Sequence, residues 1–333
     1  MKIWYDACTG KHVRYGVAIA RRLRRKGHNL ILTTRKHPDT IKLAEYLGEK
    51  FHVVGRYVPT SRNDKLRESL RRQLLFYEMF KDNIPDIAVS HHSVELCRVA
   101  FGFGVPIIST HDSPHADAVN RLTMPLINVL IVSKAIPKKY LRKYGAQKIV
   151  QFNGVDEIAW MKNFKVKMKF EYESPLIVVR QLEIGAAYVK TKVDITEKLA
   201  EKLLSVGNVV FLSRYQRKPK KGLIVPKKFV DSASLVAQSD LVVSVGGTIA
   251  REAALAGTPS IVVPVLGRFH INNYRAKMGF PIFTVKAEKV VEYAKKVIGK
   301  RYNVTALLEK LENPVDVIER VVENLGSEKV GDD

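Results

Sequence analysis

The chain has 333 residues, 46% of them hydrophobic, which excludes a disordered protein and leaves room for two domains of ordinary size. Its two cysteines exclude a disulfide framework, and no apolar run reaches the roughly 18 residues of a membrane-spanning helix. The 56 Lys+Arg residues against 33 Asp+Glu give a net charge of +23, which predicts attraction to polyanions such as nucleic acid, anionic lipid headgroups or phosphorylated substrates.

The first predicted strand, Lys2–Ala7, leads through a short loop into a basic helix that ends before Gly27. The helical spacing predicts a core-facing side made of Val13, Val17, Ala20 and Leu23. The opposite, solvent-facing side is predicted to carry Arg14, Arg21, Arg22 and Arg25. The strand end and the loop supply five candidate site residues, which are Asp6, Thr9, Gly10, Lys11 and His12.

A strand over 29–34, a helix over 36–51 and a short strand over 52–55 follow, and a long basic helix is predicted over 61–82. The predicted buried side of this long helix carries Leu66, Leu70, Leu74 and Met79. Its predicted solvent side carries Arg62, Lys65, Arg67, Arg71 and Arg72. The arginine side is either an ordinary solvated face or a docking surface for an anionic acceptor or membrane.

Histidines follow two further predicted strands at the point where each strand ends. The strand over 85–90 ends in His91-His92, and the strand over 105–110 ends in His111-Asp112, with His115 close behind. Ligands bind at the carboxyl ends of strands in an open parallel sheet, so we expect these side chains to line a cleft. A metal site built from His91, His92, His111 and Asp112 is the alternative, but the spacing matches no dedicated metal motif and we predict no metal.

The first domain is predicted to close with strands over 129–132 and 148–152 and a helix over 134–143. The second is predicted to begin with strands over 176–179 and 209–212 and helices over 194–206 and 232–239. Arg180 and Arg214 follow the strands of this second domain and are candidate phosphate-binding cations.

The most informative stretch runs from residue 240 to residue 264. An apolar run over 241–245 predicts a buried strand, and the Gly246-Gly247 turn breaks it. Thr248 is expected to cap a helix over 249–256, and a further strand is expected over 260–265. Glycines and a helix N-terminus suit a phosphate, so Gly246, Gly247 and Thr248 are predicted to bind a phosphate group. Glu252, one turn further along, is a candidate for the ribose hydroxyls.

Several common sequence motifs are absent. The chain has neither the GxxxxGK[ST] motif of P-loop NTPases nor a GxGxxG after its first strand. It also has no GxSxG, the nucleophile motif of α/β hydrolases. These absences argue against an NTPase, a dinucleotide-dependent oxidoreductase and a serine hydrolase.

The stretch over 246–259 resembles the donor-nucleotide motif of two-domain, GT-B type glycosyltransferases, such as the enzyme that adds N-acetylglucosamine in lipid II synthesis. It is also similar to the UDP-N-acetylglucosamine 2-epimerases, which share that architecture. Most of the chain resembles a family catalogued as domain of unknown function 354. The matching residues are the first strand, 27–35, 153–157, 177–180, Ala187-Tyr188 and 246–259.

The resemblance implies an α/β protein with two Rossmann-like, doubly wound parallel-sheet domains that face each other across a cleft. The implied boundaries are an acceptor-side domain over 1–155, a connecting segment over 156–174 and a nucleotide-sugar domain over 175–302. C-terminal helices over 303–326 are expected to return to the first domain.

The resemblance also implies transfer of a sugar from a nucleoside-diphosphate sugar, with no tightly bound cofactor. His12 falls where the related transferases carry a histidine, which makes it the candidate general base, with Asp112 as the orienting carboxylate. Where those enzymes contact the donor sugar with an Asp-Gln or Gln-Gln pair, this chain has His270, Asn272 and Asn273.

Two other functions remain open. A nucleotide-sugar 2-epimerase or hydrolase needs several acids and bases, for which Glu95, Asp112, His115 and Asp117 are available. The positive charge also fits a nucleic-acid-binding or RNA-modifying protein that reuses the fold. A thermophile's ion-pair surface fits the many lysines and glutamates but would not by itself leave so large an excess of one sign, whereas a general solubility charge would explain the excess without a partner. We expect a cytoplasmic location, since the N-terminus reads as a strand and lacks a signal-peptide pattern, or peripheral attachment to a membrane.

Overall fold

The structure is a computed structural model that describes residues 1–37, 40–58, 60–182, 194–214, 220–265 and 270–330. The chain forms two compact units, the first made of residues 1–160 and 312–333 and the second of residues 161–311. Each unit contains one parallel β-sheet, so the prediction of two parallel-sheet α/β domains is confirmed. Ala187-Tyr188, named in the family resemblance, lie outside the described residues.

The first unit contains a seven-stranded parallel sheet with the order β3-β2-β1-β4-β5-β6-β7. Its central strands are short β-branched runs that are buried along their whole length, as a sheet covered on both faces requires. The strands are β1 (Lys2–Ala7), β2 (Asn29–Lys36), β3 (His52–Arg56), β4 (Ile87–Ser90), β5 (Ile107–His111), β6 (Val129–Ser133) and β7 (Lys148–Phe152).

Helices connect these strands, as parallel crossovers demand. They are α1 (Gly10–Arg25), α2 (Ile41–Tyr46), α3 (Arg62–Phe80), α4 (Val94–Gly102), α5 (Asp117–Thr123) and α6 (Lys139–Arg142), followed by the short α7 (Ile158–Met161) at the unit boundary. The last helix, α14 (Pro314–Val330), belongs to this unit. Glu319 in the middle of α14 forms ion pairs with Arg22 on α1 and with Lys26, the residue that follows α1.

The second unit contains a five-stranded parallel sheet with the order β12-β11-β10-β8-β9. Its strands are β8 (Leu176–Arg180), β9 (Asn208–Leu212), β10 (Leu241–Ser244), β11 (Ser260–Val262) and β12 (Ile282–Thr284). Its helices are α8 (Thr196–Leu203), α9 (Ser232–Gln238), α10 (Thr248–Leu255), α11 (His270–Lys277), α12 (Val290–Val297) and α13 (Thr305–Glu309). Aliphatic side chains from both sheet faces and from α8, α9, α10 and α12 form its core.

Both sheets reverse their strand order once. In the first sheet the reversal lies between β1 and β4, and in the second between β8 and β10. Crossovers on the two sides of such a point run to opposite faces, so a crevice opens beyond the carboxyl ends of the two central strands. The residues that follow β1 and β4, and those that follow β8 and β10, are therefore placed where this kind of fold binds ligands.

The predicted orientation of α3 is wrong. The helix buries Glu68, Arg72, Phe76 and Phe80, which recur every four residues, and it leaves Leu66, Leu70 and Leu74 in solvent. The two phenylalanines pack against Trp4, with ring centroids 4.7 and 4.6 Å apart. Arg72 is tolerated in the interior because Asp6 and Glu95 compensate its charge, at 2.5 and 3.2 Å.

Other differences are smaller. Arg14, predicted to face solvent, is buried on α1, whereas the four predicted core residues of this helix are buried as expected. The helices predicted over 36–51 and 134–143 shorten to α2 and α6, and the strand predicted over 260–265 ends at Val262. Strand β12 is not predicted because its three residues carry too little periodicity, and it forms by pairing with its neighbour β11.

Candidate functional site

In the first unit, a lysine and carboxylates gather at the carboxyl edge of the sheet. Lys11, in the first turn of α1, places its Nζ 2.6 Å from a carboxylate oxygen of Asp112 and 2.7 Å from one of Asp156. A carboxylate oxygen of Glu157 lies 3.8 Å away. All four side chains are largely withdrawn from solvent, which strengthens their attraction relative to a surface pair. The structure thus brings two predicted residues, Lys11 and Asp112, together.

Asp156 and Glu157 are members of this cluster that the sequence interpretation missed. They follow β7 in the stretch Asn153-Gly154-Val155-Asp156-Glu157, which belongs to the family resemblance, and the predicted connection between domains begins at Asp156. Their buried position, with 4% and 0% of the side chains exposed, is what distinguishes them from ordinary linker acids. The available signal was a pair of adjacent acids in the loop that follows a predicted strand.

His12 lies beside the Lys11 cluster. Its backbone N–H contacts the hydroxyl of Thr9, which caps α1, and its Nδ1 accepts a hydrogen bond of 3.3 Å from the Cys8 backbone N–H. Because Nδ1 accepts, the neutral ring carries its proton on Nε2. Burial, reinforced by the neighbouring His91 and Lys11, lowers the pKa of His12 well below its ordinary value of 6.5. The imidazole is therefore neutral at pH 7.

His91 and Asp112 interact more directly than the predicted pair of His12 and Asp112. The Nδ1 of His91 is 2.7 Å from the Thr110 hydroxyl, and its Nε2 is 3.4 Å from Asp112. The rings of His91 and His12 meet edge to face at 4.8 Å. Oxygen and nitrogen atoms of His91, Asp112 and Asp156 are close enough together to hold one metal ion, but the Lys11 ammonium lies against both carboxylates and already supplies a positive charge there.

His92 and His111 form a second pair at the ends of β4 and β5. Their rings stack at 4.0 Å, and the Nδ1 of His92 is 2.9 Å from the Ser109 hydroxyl. Within the described part of the chain, neither ring's Nε2 has a hydrogen-bond partner. His92 also has a φ of 54°, a left-handed backbone that is uncommon outside glycine and tends to mark functional sites. Burial lowers the pKa of His111 to about 3 and lowers that of His92 well below 6.5.

Other predicted residues of the first unit lie apart from this group or beneath it. Asp6 is fully buried and accepts from Arg72, Thr33 and Ser93, so it anchors α3 and α4 to β1. Gly10 is the first residue of α1. His115 is exposed in the loop before α5.

The acids considered for the epimerase alternative are dispersed. Asp117, exposed on α5, bonds to Arg121 at 2.9 Å and accepts from the Tyr144 hydroxyl at 3.0 Å. Glu95, on α4, bonds to Ser69 and Arg72. Of the four residues named for that chemistry, only Asp112 therefore belongs to the Lys11 cluster.

In the second unit, the predicted phosphate turn lies at the point where the strand order reverses. Gly246 and Gly247 follow β10, and α10 begins at Thr248. The predicted Thr248 cap is wrong: Gly247 is the capping residue and no side chain caps the helix, because Thr248 already lies in the first turn. Among the described residues, a Cβ built on Gly246 would meet no atom within 4 Å, so the backbone at Gly246 borders open space there.

Charged side chains lie on α10 and at the ends of two other strands of this sheet. Arg251, which the sequence interpretation missed, is buried on α10, and a Cβ on Gly247 would lie 2.2 Å from its Nη1. Arg180 ends the neighbouring strand β8. Arg214 is exposed after β9, where its backbone N–H and its Nε both donate to Gln181. Glu252 is enclosed on α10 and accepts from the Ser232 hydroxyl at 3.3 Å.

The residues predicted for the donor sugar lie on α11. Asn272 is buried, and both polar atoms of its amide lack a hydrogen-bond partner among the residues that are described. His270 is half-buried and Asn273 is exposed. The three residues share one helix but differ in environment, and Asn272 alone presents an enclosed, unsatisfied amide.

The part of the chain that is described contains no helix long and apolar enough to cross a membrane.

Comparisons with solved structures match the whole architecture. The UDP-GlcNAc 2-epimerase of Methanocaldococcus jannaschii, solved with UDP-GlcNAc and UDP, superposes with a TM-score of 0.72 at 16% identity, over 97% of this chain and 100% of that one. The spinosyn forosaminyltransferase SpnP superposes with a TM-score of 0.63 at 12% identity, over 98% and 99%. These likenesses establish the fold that glycosyltransferases and epimerases share.

Sequence comparisons cover nearly as much of the chain. The uncharacterized protein MJ0665 of Methanocaldococcus jannaschii is 29% identical over 342 residues, which span 96% of this chain and 98% of that protein. A family described as protein of unknown function, DUF354, matches residues 1–326. The chain therefore belongs to the DUF354 family.

Proposed function

We propose that this protein transfers a sugar from a nucleoside-diphosphate sugar and binds the donor's diphosphate at Gly246, Gly247 and Thr248. The observation that carries the proposal is the open space at Gly246, at the reversal point of the second sheet. A phosphate can approach this backbone closely, and the N-terminus of α10 offers N–H groups without a side-chain cap.

The leaving group determines what else this site needs. Negative charge accumulates on the diphosphate as its bond to the sugar breaks, and fixed N–H dipoles and arginines lower the barrier by stabilising that charge. Arg180 and Arg214 are the proposed cations, and Arg251, adjacent to Gly247, is a third. We assign the ribose to Glu252 and the sugar to His270, Asn272 and Asn273.

On the acceptor side, we assign the general base to His12. A base must be unprotonated at the working pH, and burial keeps His12 neutral at pH 7. For the acceptor's proton to be taken up at Nε2, the ring has to carry its own proton on Nδ1 and give up the hydrogen bond from the Cys8 N–H. The net charge of +23 favours an anionic acceptor, either a lipid-linked phosphate or a nucleic acid.

A nucleotide-sugar 2-epimerase is the second candidate, and a specific observation favours it. Asp112, Asp156 and His91 gather within one cluster, which supplies several acids and bases for proton transfer at a sugar carbon. Incubation with UDP-GlcNAc in D2O distinguishes the two functions. Deuterium at the sugar C2 without an acceptor indicates epimerisation, whereas a transferase leaves C2 unlabelled.

Thermal-shift titration with UDP, GDP, dTDP, CDP, ADP and inorganic pyrophosphate tests the donor site. A ligand at about 100 times its Kd stabilises the folded state by about 2.7 kcal/mol and raises the Tm accordingly. Gly246→Ala is expected to abolish the shift by every probe while leaving the ligand-free Tm unchanged, because its Cβ meets only open space. Glu252→Gln is expected to reduce the Tm shift caused by the nucleotides but not the shift caused by pyrophosphate, which lacks a ribose.

Gly102→Ala is the matched control, since a Cβ at Gly102 makes only an ordinary 3.7 Å contact on α4 of the other unit. It is expected to keep every ligand response. The transferase proposal fails if no nucleotide shifts the wild type. Stabilisation by RNA or by anionic lipid alone would instead indicate a polyanion-binding protein.

A further inference from the structure

One surface of the first unit is basic and contains no acidic residue. Between Asp117 and Asp156 the chain has neither aspartate nor glutamate. Six exposed cations lie around α6 and at the start of β7 in this interval: Lys134, Lys138, Lys139, Arg142, Lys143 and Lys148. These six residues are called the α6 patch below.

The cations of α1 and α3 are arranged differently. On α1, Arg24 pairs with Glu49 at 2.7 Å, and on α3, Arg67 pairs with Asp64 at 2.9 Å. None of the six cations of the α6 patch forms an ion pair with any residue in the described part of the chain. The α6 patch therefore presents to solvent the kind of charge that α1 and α3 largely compensate.

The backbone that carries the α6 patch is anchored in the core. Ile136 and Leu141 are fully buried, and the Gln151 side chain on β7 donates to the Ile136 carbonyl at 2.8 Å. The Lys143 ammonium lies 4.6 Å from the ring centre of Tyr144, which is itself buried. Because the frame is fixed in advance, a polyanion that binds here does not have to order the backbone first.

The spacing of the cations suits a chain of regularly repeated negative charges. Lys138 and Lys143 flank α6 with helical backbone, so Lys138 lies beside Arg142, and Lys139 beside Lys143, on the helix surface. Like charges at this spacing repel each other, and a bound polyanion offsets that repulsion.

The patch also extends along the sheet. Lys134 follows β6 and Lys148 begins β7, and these positions are about 16 Å apart in the strand direction. Successive phosphates advance by about 3.4 Å along one strand of a duplex, so a surface of this length spans several of them.

The composition of the α6 patch favours a nucleic acid over a membrane. Helices that bind membranes combine a basic face with apolar side chains that insert into the lipid. Between residues 123 and 152, all of them described, no large hydrophobic side chain is exposed. A nucleic-acid backbone requires cations alone, and the half-buried ring of Tyr140, beside Lys139, adds an aromatic surface on which a base can stack.

We propose that the α6 patch binds the phosphodiester backbone of a single-stranded nucleic acid, independently of its base sequence. Lys138, Lys139, Arg142 and Lys143 contact successive phosphates. The proposal concerns a docking surface and does not depend on sugar transfer, so either proposal can fail without the other.

Fluorescence anisotropy with a labelled 20-nucleotide oligouridine RNA, between 0.05 and 0.3 M NaCl and without nucleotide sugar, tests the proposal. Each phosphate contact on a single strand contributes about 0.7 to the slope of log K against log salt concentration. The patch variant replaces all four residues by glutamine: Lys138→Gln, Lys139→Gln, Arg142→Gln and Lys143→Gln. We expect it to bind at least tenfold more weakly at 0.15 M NaCl and its slope to be smaller by about 3.

A matched variant removes the same charge from the second unit. It carries four changes at exposed lysines on or beside α8 and α12: Lys198→Gln, Lys202→Gln, Lys295→Gln and Lys300→Gln. At 0.15 M NaCl the Debye length is about 8 Å, so we expect its affinity to stay within twofold of the wild type. The charge-retaining variant Lys138→Arg, Lys139→Arg, Lys143→Arg is expected to bind as the wild type does, and all three variants are expected to keep the wild-type Tm.

Absence of RNA binding by the wild type at 0.05 M NaCl would overturn the proposal. Equal losses in the two glutamine variants would also overturn it, because the attraction would then belong to the net charge and not to the α6 patch. Flotation with phosphatidylglycerol vesicles tests the other polyanion. If the patch variant loses flotation but binds RNA as the wild type does, the surface serves a membrane and the proposal is wrong.

Discussion

At the scale of single residues, the first unit is distinguished by histidines that are kept neutral in its interior. His92 and His111 are buried and His12 is half-buried, and loss of solvation is the main cause of the lowered pKa of each ring. A protonated imidazole in these positions would lack the water that normally solvates its charge. The same property that suits a base at pH 7 therefore makes the fold sensitive to acid.

The sign of that sensitivity follows from the lowered pKa values. In the unfolded chain His111 binds a proton below about pH 6.5, whereas in the folded protein its pKa is about 3. Between these two values the unfolded state binds more protons, so the free energy of unfolding decreases as the pH falls. His111→Gln removes one such group. Acidification from pH 7 to pH 5 lowers the unfolding free energy of both proteins, measured with urea. We expect the decrease in the His111→Gln variant to be about 2 kcal/mol smaller than the decrease in the wild type.

His52→Gln provides the control, because His52 is exposed on β3. It is expected to lose stability on acidification as the wild type does. Equal acid sensitivity of the wild type and His111→Gln would show that His111 does not remain neutral in the folded protein.

At the scale of elements, a glycine lies at each end of α10, and the two glycines have different structural roles. Gly247 precedes the helix, and Gly257 follows it with a φ of 78°, the left-handed conformation that ends many helices. At Gly257 a Cβ would also lie 2.2 Å from the Tyr302 carbonyl oxygen. The backbone segment after α12 thus packs directly on the end of α10.

Gly257→Ala is expected to lower the unfolding free energy by roughly 2–5 kcal/mol, combining left-handed strain with an overpacking clash against backbone. Gly299→Ala is the matched variant, since Gly299 has a similar φ of 75° but a Cβ there would meet nothing within 4 Å. It is expected to show only the strain, about 1–2 kcal/mol. Equal losses in the two variants, measured by urea denaturation, would argue against the contact with Tyr302.

At the scale of the whole molecule, the first unit is assembled from two separate parts of the chain. Val315, Val317, Ile318 and Val322 of α14 are buried, although about 150 residues of the second unit separate them from the rest of the first. The backbone of Glu312 donates to the Asn153 carbonyl, and the Glu312 carboxylate accepts from the Asn153 N–H, each at 2.9 Å. The first unit therefore needs the C-terminal helix for its core.

Ile318→Ala is expected to lower the unfolding free energy of the first unit by about 2–5 kcal/mol, since a large side chain is removed from a fully buried site. Amide hydrogen exchange locates the effect: the slowest amides of β5 and β6 are expected to exchange faster, while those of β8 and β10 keep their rates. Glu323→Ala, at an exposed position of the same helix, is expected to change neither group. Equal acceleration in both units would mean that they unfold together.

The sequence by itself determined the parallel-sheet architecture and the family. Its buried strands are short β-branched runs, and its glycines stand where helices begin or end, because these are local properties that neighbouring residues express directly. The Gly246-Gly247 turn was predictable for the same reason.

Only the tertiary structure decided which side chains meet. Asp156 joins Lys11 from 145 residues away, and Arg72 lies inside because Asp6 and Glu95 converge on it there. A basic residue is predicted to face solvent, because the sequence does not show the distant carboxylate that compensates the cost of burying it. Three leucines at four-residue spacing are likewise predicted to face the core, but phenylalanines on another face of the same helix are buried instead. Helical periodicity identifies the faces of a helix, but long-range packing selects which face is buried.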